Sequence, residues 1–157
     1  MLFAVLSHEA AHLFVMAILG IKVTGFKLDT FGIGIGANYG LSSYLKQAVV
    51  SASGSIANLA IACAFAKATE LSAACFAYGV FNLIPLSMLD GGELLELFLL
   101  ASGVPCKIRT RVHTAIDLFL TLLIWTFAVY LAINGTGEGL LISAVYMVTT
   151  KLCAPNS

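Results

Sequence analysis

Three ionisable residues stand within five positions of an otherwise apolar stretch, as His8-Glu9-Ala10-Ala11-His12. On a helix, residues four apart share a face. Both imidazoles can then bind one Zn²⁺, with Glu9 beside it as the general base for a water whose pKa the metal lowers to about 7. A catalytic zinc site wants three protein ligands and one open position. His8 and His12 supply two, and the candidates for the third are Asp90, Glu93, Glu96, Asp117 and His113.

The elements that must hold these groups are membrane-like. Of the 157 residues, 60% are hydrophobic and 10% charged, and the mean hydropathy is +0.99. An ordinary soluble domain is about 45–50% apolar and about 25% charged. Eight Lys/Arg balance eight Asp/Glu, whereas a nucleic-acid binder shows a basic excess. The composition therefore excludes an ordinary soluble enzyme and leaves a lipid bilayer as the partner, with no nucleic acid. Ionisable residues inside membrane helices are costly and functional by default, which raises the weight of the His8–His12 motif.

Five apolar segments follow one another, at about 1–20, 46–66, 71–100, 111–133 and 139–153. A spanning helix needs about 20 residues. The first, second and fourth meet that length, the third has room for a span and a break, and the fifth is short. The first segment lacks the basic start of a cleavable signal peptide. Residues 21–37 alternate with period two and are rich in β-branched and aromatic types, which predicts a β-hairpin followed by a third short strand. Gly32, Gly34 and Gly36 leave one strand face bare for close approach by another backbone. Cys63, Cys75, Cys106 and Cys153 have no metal-site or disulfide spacing.

If every segment crosses, Lys22, Lys27, Lys46, Lys107, Arg109, Arg111 and Lys151 share one side and Lys67 takes the other. The positive-inside rule makes the rich side the cytoplasm. At helical rise, His12 then lies about 12 Å and His8 about 18 Å from that side, and Asp90 about 15 Å, whereas Glu93 and Glu96 lie at about 6–11 Å. Depth favours Asp90 as the third ligand. Its approach, Asn82-Leu83-Ile84-Pro85-Leu86-Ser87-Met88-Leu89-Asp90-Gly91-Gly92, cannot be a plain helix, because Pro85 removes a donor and Gly91-Gly92 loosens the backbone. Broken backbone at membrane depth is tolerated only inside protein or around a wet cavity. Asn82 can donate to a developing oxyanion or to an extended substrate, or it can cap backbone groups freed by the break.

His8–His12, the N-x-x-P-x-x-x-x-D-G stretch at 82–91, and Gly54-Ser55-Ile56-Ala57-Asn58 between them resemble the signatures of the site-2 proteases, the intramembrane zinc metalloproteases. The resemblance covers roughly residues 1–100, and the later segments fit the compact sporulation-type branch that processes a pro-sigma factor. It implies an all-α membrane protein with about five transmembrane or re-entrant segments and a small re-entrant β-hairpin after the first helix. It implies one zinc per chain on His8, His12 and Asp90, with Glu9 activating water and Asn82 positioning substrate or stabilising the tetrahedral intermediate. Asn58 would contact substrate or pack helices. The hairpin would offer an edge strand to an unwound substrate helix.

The reading is of one intramembrane metalloprotease domain over 1–157, with a catalytic core at about 1–100 and accessory helices at about 111–153. It is a multi-pass cell-membrane protein with its active site toward the cytoplasm. Its partners are a membrane-protein or membrane-associated substrate and a regulatory membrane protein. Family members usually carry a transmembrane segment ahead of the first signature, where Met1 to Ser7 stand here. Three other readings remain: a zinc transporter, a catalytically inactive membrane scaffold, and a different zinc protease class with Glu93 as third ligand. His113 and Asp117 could pair on a metal, but Arg109, Arg111 and His113 read better as an interfacial anchor. Trp125 and Tyr130 read as lipid-facing or packed.

Overall fold

The computed structural model describes residues 1–29, 32–38, 43–67, 69–136, 142, 144–145 and 148–149. Its elements are α1 (Leu2–Ile18), β1 (Lys22–Asp29), β2 (Gly32–Asn38), α2 (Tyr44–Ala64), α3 (Thr69–Asn82), α4 (Asp90–Ala101) and α5 (Cys106–Ile133). The chain divides into two compact units, Met1–Arg109 and Thr110–Ser157.

In the first unit α2 is the central helix and touches α1, α3 and α4. The buried residues of α1 are Ala4, His8, His12 and Met16, one line of i, i+4 positions. Those of α2 are Val50, Ser51, Gly54, Ser55, Asn58 and Ala62, again one helical face. Most of this second stripe is small or polar, as expected where helices meet without a hydrophobic drive between them. Two apolar clusters flank the stripes. Ala4, Ala62 and Cys75 form one, and Met16, Ile21 and Val50 the other.

α1 ends in a Schellman turn. Gly20 takes a φ of +69°, and the Gly20 and Ile21 amides donate to the Ala17 and Met16 carbonyls. A side chain at position 20 would be strained in that left-handed conformation. Beyond it β1 and β2 pair antiparallel, with Lys22 opposite Asn38, Asp29 opposite Gly32 and an irregularity between Val23 and Gly25. The third short strand expected after them falls on residues outside the described set, as does most of the segment at 139–153.

The long apolar segment at 71–100 is two helices, α3 and α4, separated at residues 83–89. The break is packed rather than loose. A Cβ on Gly91 would fall 2.2 Å from the Leu83 carbonyl oxygen, and one on Gly92 would fall 2.1 Å from that of Leu86. Only glycine lets the break fold back onto the start of α4. α5 begins at Cys106, ahead of the apolar run at 111–133, because the Pro105 carbonyl accepts from the Ile108 and Arg109 amides and opens the helix there. Among the described residues α2 and α5 are long and apolar enough to cross a membrane, and α1 is a shorter apolar helix.

Candidate metal centre

His8 and His12 lie one turn apart on the buried line of α1, at 1% and 6% exposure. Their Nε2 atoms are 3.1 Å apart. Asp90, the first residue of α4, brings its Oδ2 to 2.9 Å from His8 Nε2 and 3.3 Å from His12 Nε2. The start of a helix favours negative charge through the peptide dipoles, so the break at 83–89 delivers a carboxylate where the backbone stabilises it.

These three atoms fit a zinc ion. Tetrahedral ligands at about 2.0–2.2 Å from the metal stand about 3.3–3.6 Å apart, so the triangle needs to spread by only a few tenths of an ångström. The fourth side is made by Gly54 of α2. A Cβ there would lie 2.5 Å from His12 Nε2 and 2.7 Å from His8 Nε2. Glycine at 54 is what leaves a space between the imidazoles and the helix behind them. Among the described residues, His8, His12 and Asp90 are the group of three that can hold a metal.

The surroundings orient the ligands. His12 Nδ1 faces the Val50 carbonyl at 2.8 Å and the Ser53 hydroxyl at 3.3 Å. Donation from Nδ1 to that carbonyl leaves Nε2 with its lone pair toward the metal position. Ser51 Oγ is 3.1 Å from Glu93 Oε2 and 3.3 Å from the Asp90 carbonyl oxygen. Glu93 is thereby tied to α2 and stands outside the ligand triangle. Glu96 is paired with Arg109. His113 and Asp117 lie on α5 and join no metal-capable group among the described residues.

Glu9 is half-buried on α1 next to His8. Asn82 closes α3 and is buried, with Nδ2 donating to the Tyr78 carbonyl at 3.0 Å. Asn58 is fully buried. Its Nδ2 donates to the Ala4 carbonyl at 2.9 Å, and its Oδ1 accepts from Ser7 at 2.7 Å. Both ends of the amide therefore engage α1, one turn before His8, so in this geometry Asn58 joins two helices.

Sequence reasoning passed over Ser51, Ser53 and Tyr78. The serines are small residues on an apolar helix, and only the rotation of α2 against α1 and α4 reveals them. Tyr78 sits four residues before Asn82, and that i, i+4 spacing was the available signal.

No family model matches the chain, and no curated protein does. Among solved structures, the chain is similar to the "Site-2 Protease from Methanocaldococcus jannaschii", with a TM-score of 0.71 at 20% identity over 93% of this chain and 71% of that one. The likeness establishes that the two share a fold.

Proposed function

We propose that this chain is an intramembrane zinc metalloendopeptidase of the site-2 protease type, cutting a membrane-embedded or membrane-associated protein near the cytoplasmic face. The observation that carries the reading is the meeting of His8, His12 and Asp90 donor atoms at 2.9–3.3 Å over the bare Gly54 backbone. The fold shared with a site-2 protease supports it.

His8, His12 and Asp90 would hold one zinc per chain. Bound there, zinc would supply a Lewis acid for the scissile carbonyl and make a water acidic near neutral pH. Glu9 takes the proton from the attacking water as its oxygen bonds to the carbonyl carbon. It then gives that proton to the departing amide nitrogen as the C–N bond breaks. Asn82 engages one N–H with the Tyr78 carbonyl, and an amide carries two. The second can orient an extended substrate or meet the developing oxyanion. Asn58 fixes α1 through the Ala4 carbonyl and the Ser7 hydroxyl.

The substrate helix must unwind before its carbonyls are accessible. Among the described residues β1 and β2 form a two-stranded sheet with open edges, and an edge strand can receive an extended peptide. The wider assignment follows the same line: one intramembrane domain with its core at about 1–100 and accessory helices after it, multi-pass in the cell membrane, in the sporulation-type branch, under a regulatory membrane partner.

The test is the zinc content of the detergent-purified protein beside Asp90→Ala, followed by cleavage of candidate membrane substrates with Glu9→Gln as control. About one zinc per chain, largely lost in Asp90→Ala, is the expected result, with cleavage absent in Glu9→Gln. Zinc retained in Asp90→Ala would move the third ligand to Glu93. Zinc uptake by vesicles that persists in Glu9→Gln would favour transport, and a zinc-free folded wild type would favour a scaffold.

A further inference from the structure

The two histidines are held by different means. His12 is oriented through Nδ1 by the Val50 carbonyl and the Ser53 hydroxyl. His8 Nδ1 is buried with no hydrogen-bond partner. The usual device for orienting a metal-ligating imidazole, an acceptor on its other ring nitrogen, is missing from His8. Something else must set that ring.

The rings around His8 are those of His12 and Tyr78. The His12 ring stands edge-on at 4.7 Å between centroids, at 78°. The Tyr78 ring stands edge-on at 5.1 Å, at 86°. Such perpendicular contacts are the preferred geometry for aromatic pairs. Tyr78 is itself well placed to act as a wall. Its neighbour Gly79 lets α3 close on α2, since a Cβ there would lie 3.2 Å from the Ser55 carbonyl oxygen and 3.3 Å from Asn58 Cβ. The Asn82 amide then ties down the Tyr78 carbonyl. The close approach at Gly79 sets α3 against α2 beside His8.

We propose that Tyr78 is a positioning residue for the metal centre, its aromatic ring holding the His8 imidazole in the ligating orientation that no hydrogen bond at Nδ1 enforces. The proposal rests on the metal centre of the proposed function. It assigns the work to the flat ring and not to the hydroxyl, so the two parts of the side chain can be separated.

The experiment measures zinc affinity of the intact, detergent-solubilised protein by competition with a chromophoric chelator. Wild type is compared with Tyr78→Phe and Tyr78→Leu, and Co²⁺ absorption bands report ligand geometry. Tyr78→Leu keeps an apolar side chain at this half-buried site, and its thermal unfolding without metal checks that it folds. The expected result is affinity within about twofold of wild type for Tyr78→Phe, and a loss of about tenfold to a hundredfold for Tyr78→Leu, the range for removing a group that orients a metal ligand. The Co²⁺ bands should shift in Tyr78→Leu alone. Equal affinity in all three proteins would overturn the proposal, as would a loss in Tyr78→Phe matching that in Tyr78→Leu, which would assign the role to the hydroxyl. If Tyr78→Leu fails to fold, wild-type bands and affinity in Tyr78→Phe support the ring, and altered ones overturn it. A wild type that takes up neither metal would instead bring down the metal centre itself.

Discussion

α2 and α5 are both long and apolar enough to cross a bilayer, yet they are built to different ends. The most apolar stretch of α5 is the more hydrophobic of the two and lies largely exposed, whereas that of α2 is more than a third buried. α2 presents Ser51, Gly54, Ser55 and Asn58 to its neighbours. α5 leaves Leu118, Phe119, Leu122 and Phe127 exposed. Within a bilayer, apolar side chains gain little by leaving lipid for protein, so close packing of small residues and polar contacts must join helices. The helix with the less apolar stretch is therefore the one that lines the candidate site, and ranking the stretches by hydropathy would put the other first.

That contrast can be broken by experiment. The largest effect should come from a single methyl group on α2. Gly54→Ala puts a carbon 2.5–2.7 Å from the ring atoms of His8 and His12, so zinc per chain should fall to near zero by elemental analysis; normal zinc would mean that α2 does not wall the centre. Metal removal comes next. Zinc at about 100 times its dissociation constant should stabilise the wild type by about 2.7 kcal/mol over the chelated protein, read as a rise in thermal midpoint, and Gly54→Ala should show no such rise.

Asn58→Ala removes both contacts to α1 and should cost about 1–2 kcal/mol, within the range for polar contacts between membrane helices, in reversible unfolding from mixed micelles. At the small end, Leu122→Ala on α5, at a site 54% exposed, should change stability by less than about 0.5 kcal/mol. A loss at Leu122 larger than at Asn58 would reverse the comparison.

The parts of this arrangement that could be read from the sequence are those with a short local rule. The spacing of His8 and His12 needs only a helix, and Pro85 with Gly91-Gly92 announces a break that the packed carbonyls at 83–86 then account for. Depth favours Asp90 over Glu93, and the donor atoms that lie together among the described residues are those of His8, His12 and Asp90. What stayed hidden depends on how one helix is turned against another. Ser51, Ser53 and Tyr78 carry no motif, and their relation to His12, Glu93 and His8 exists only once α2 and α3 have docked on α1. The sequence leaves Asn58 open between packing and substrate contact, because an asparagine on a helix looks the same in either role. Apolar content marks only the later run of α5, because its first turns carry Lys107, Arg109 and Arg111.

The order of the three donor residues along the chain has a consequence for biosynthesis. His8 and His12 leave the ribosome first, the Gly54 wall follows, and Asp90 comes only after the break at 83–89. A nascent chain stalled before α4 carries two donors of three. On the proposed function, a truncated translation product is then an inert set of helices rather than an unregulated protease, and synthesis through the start of α4 is what arms the enzyme.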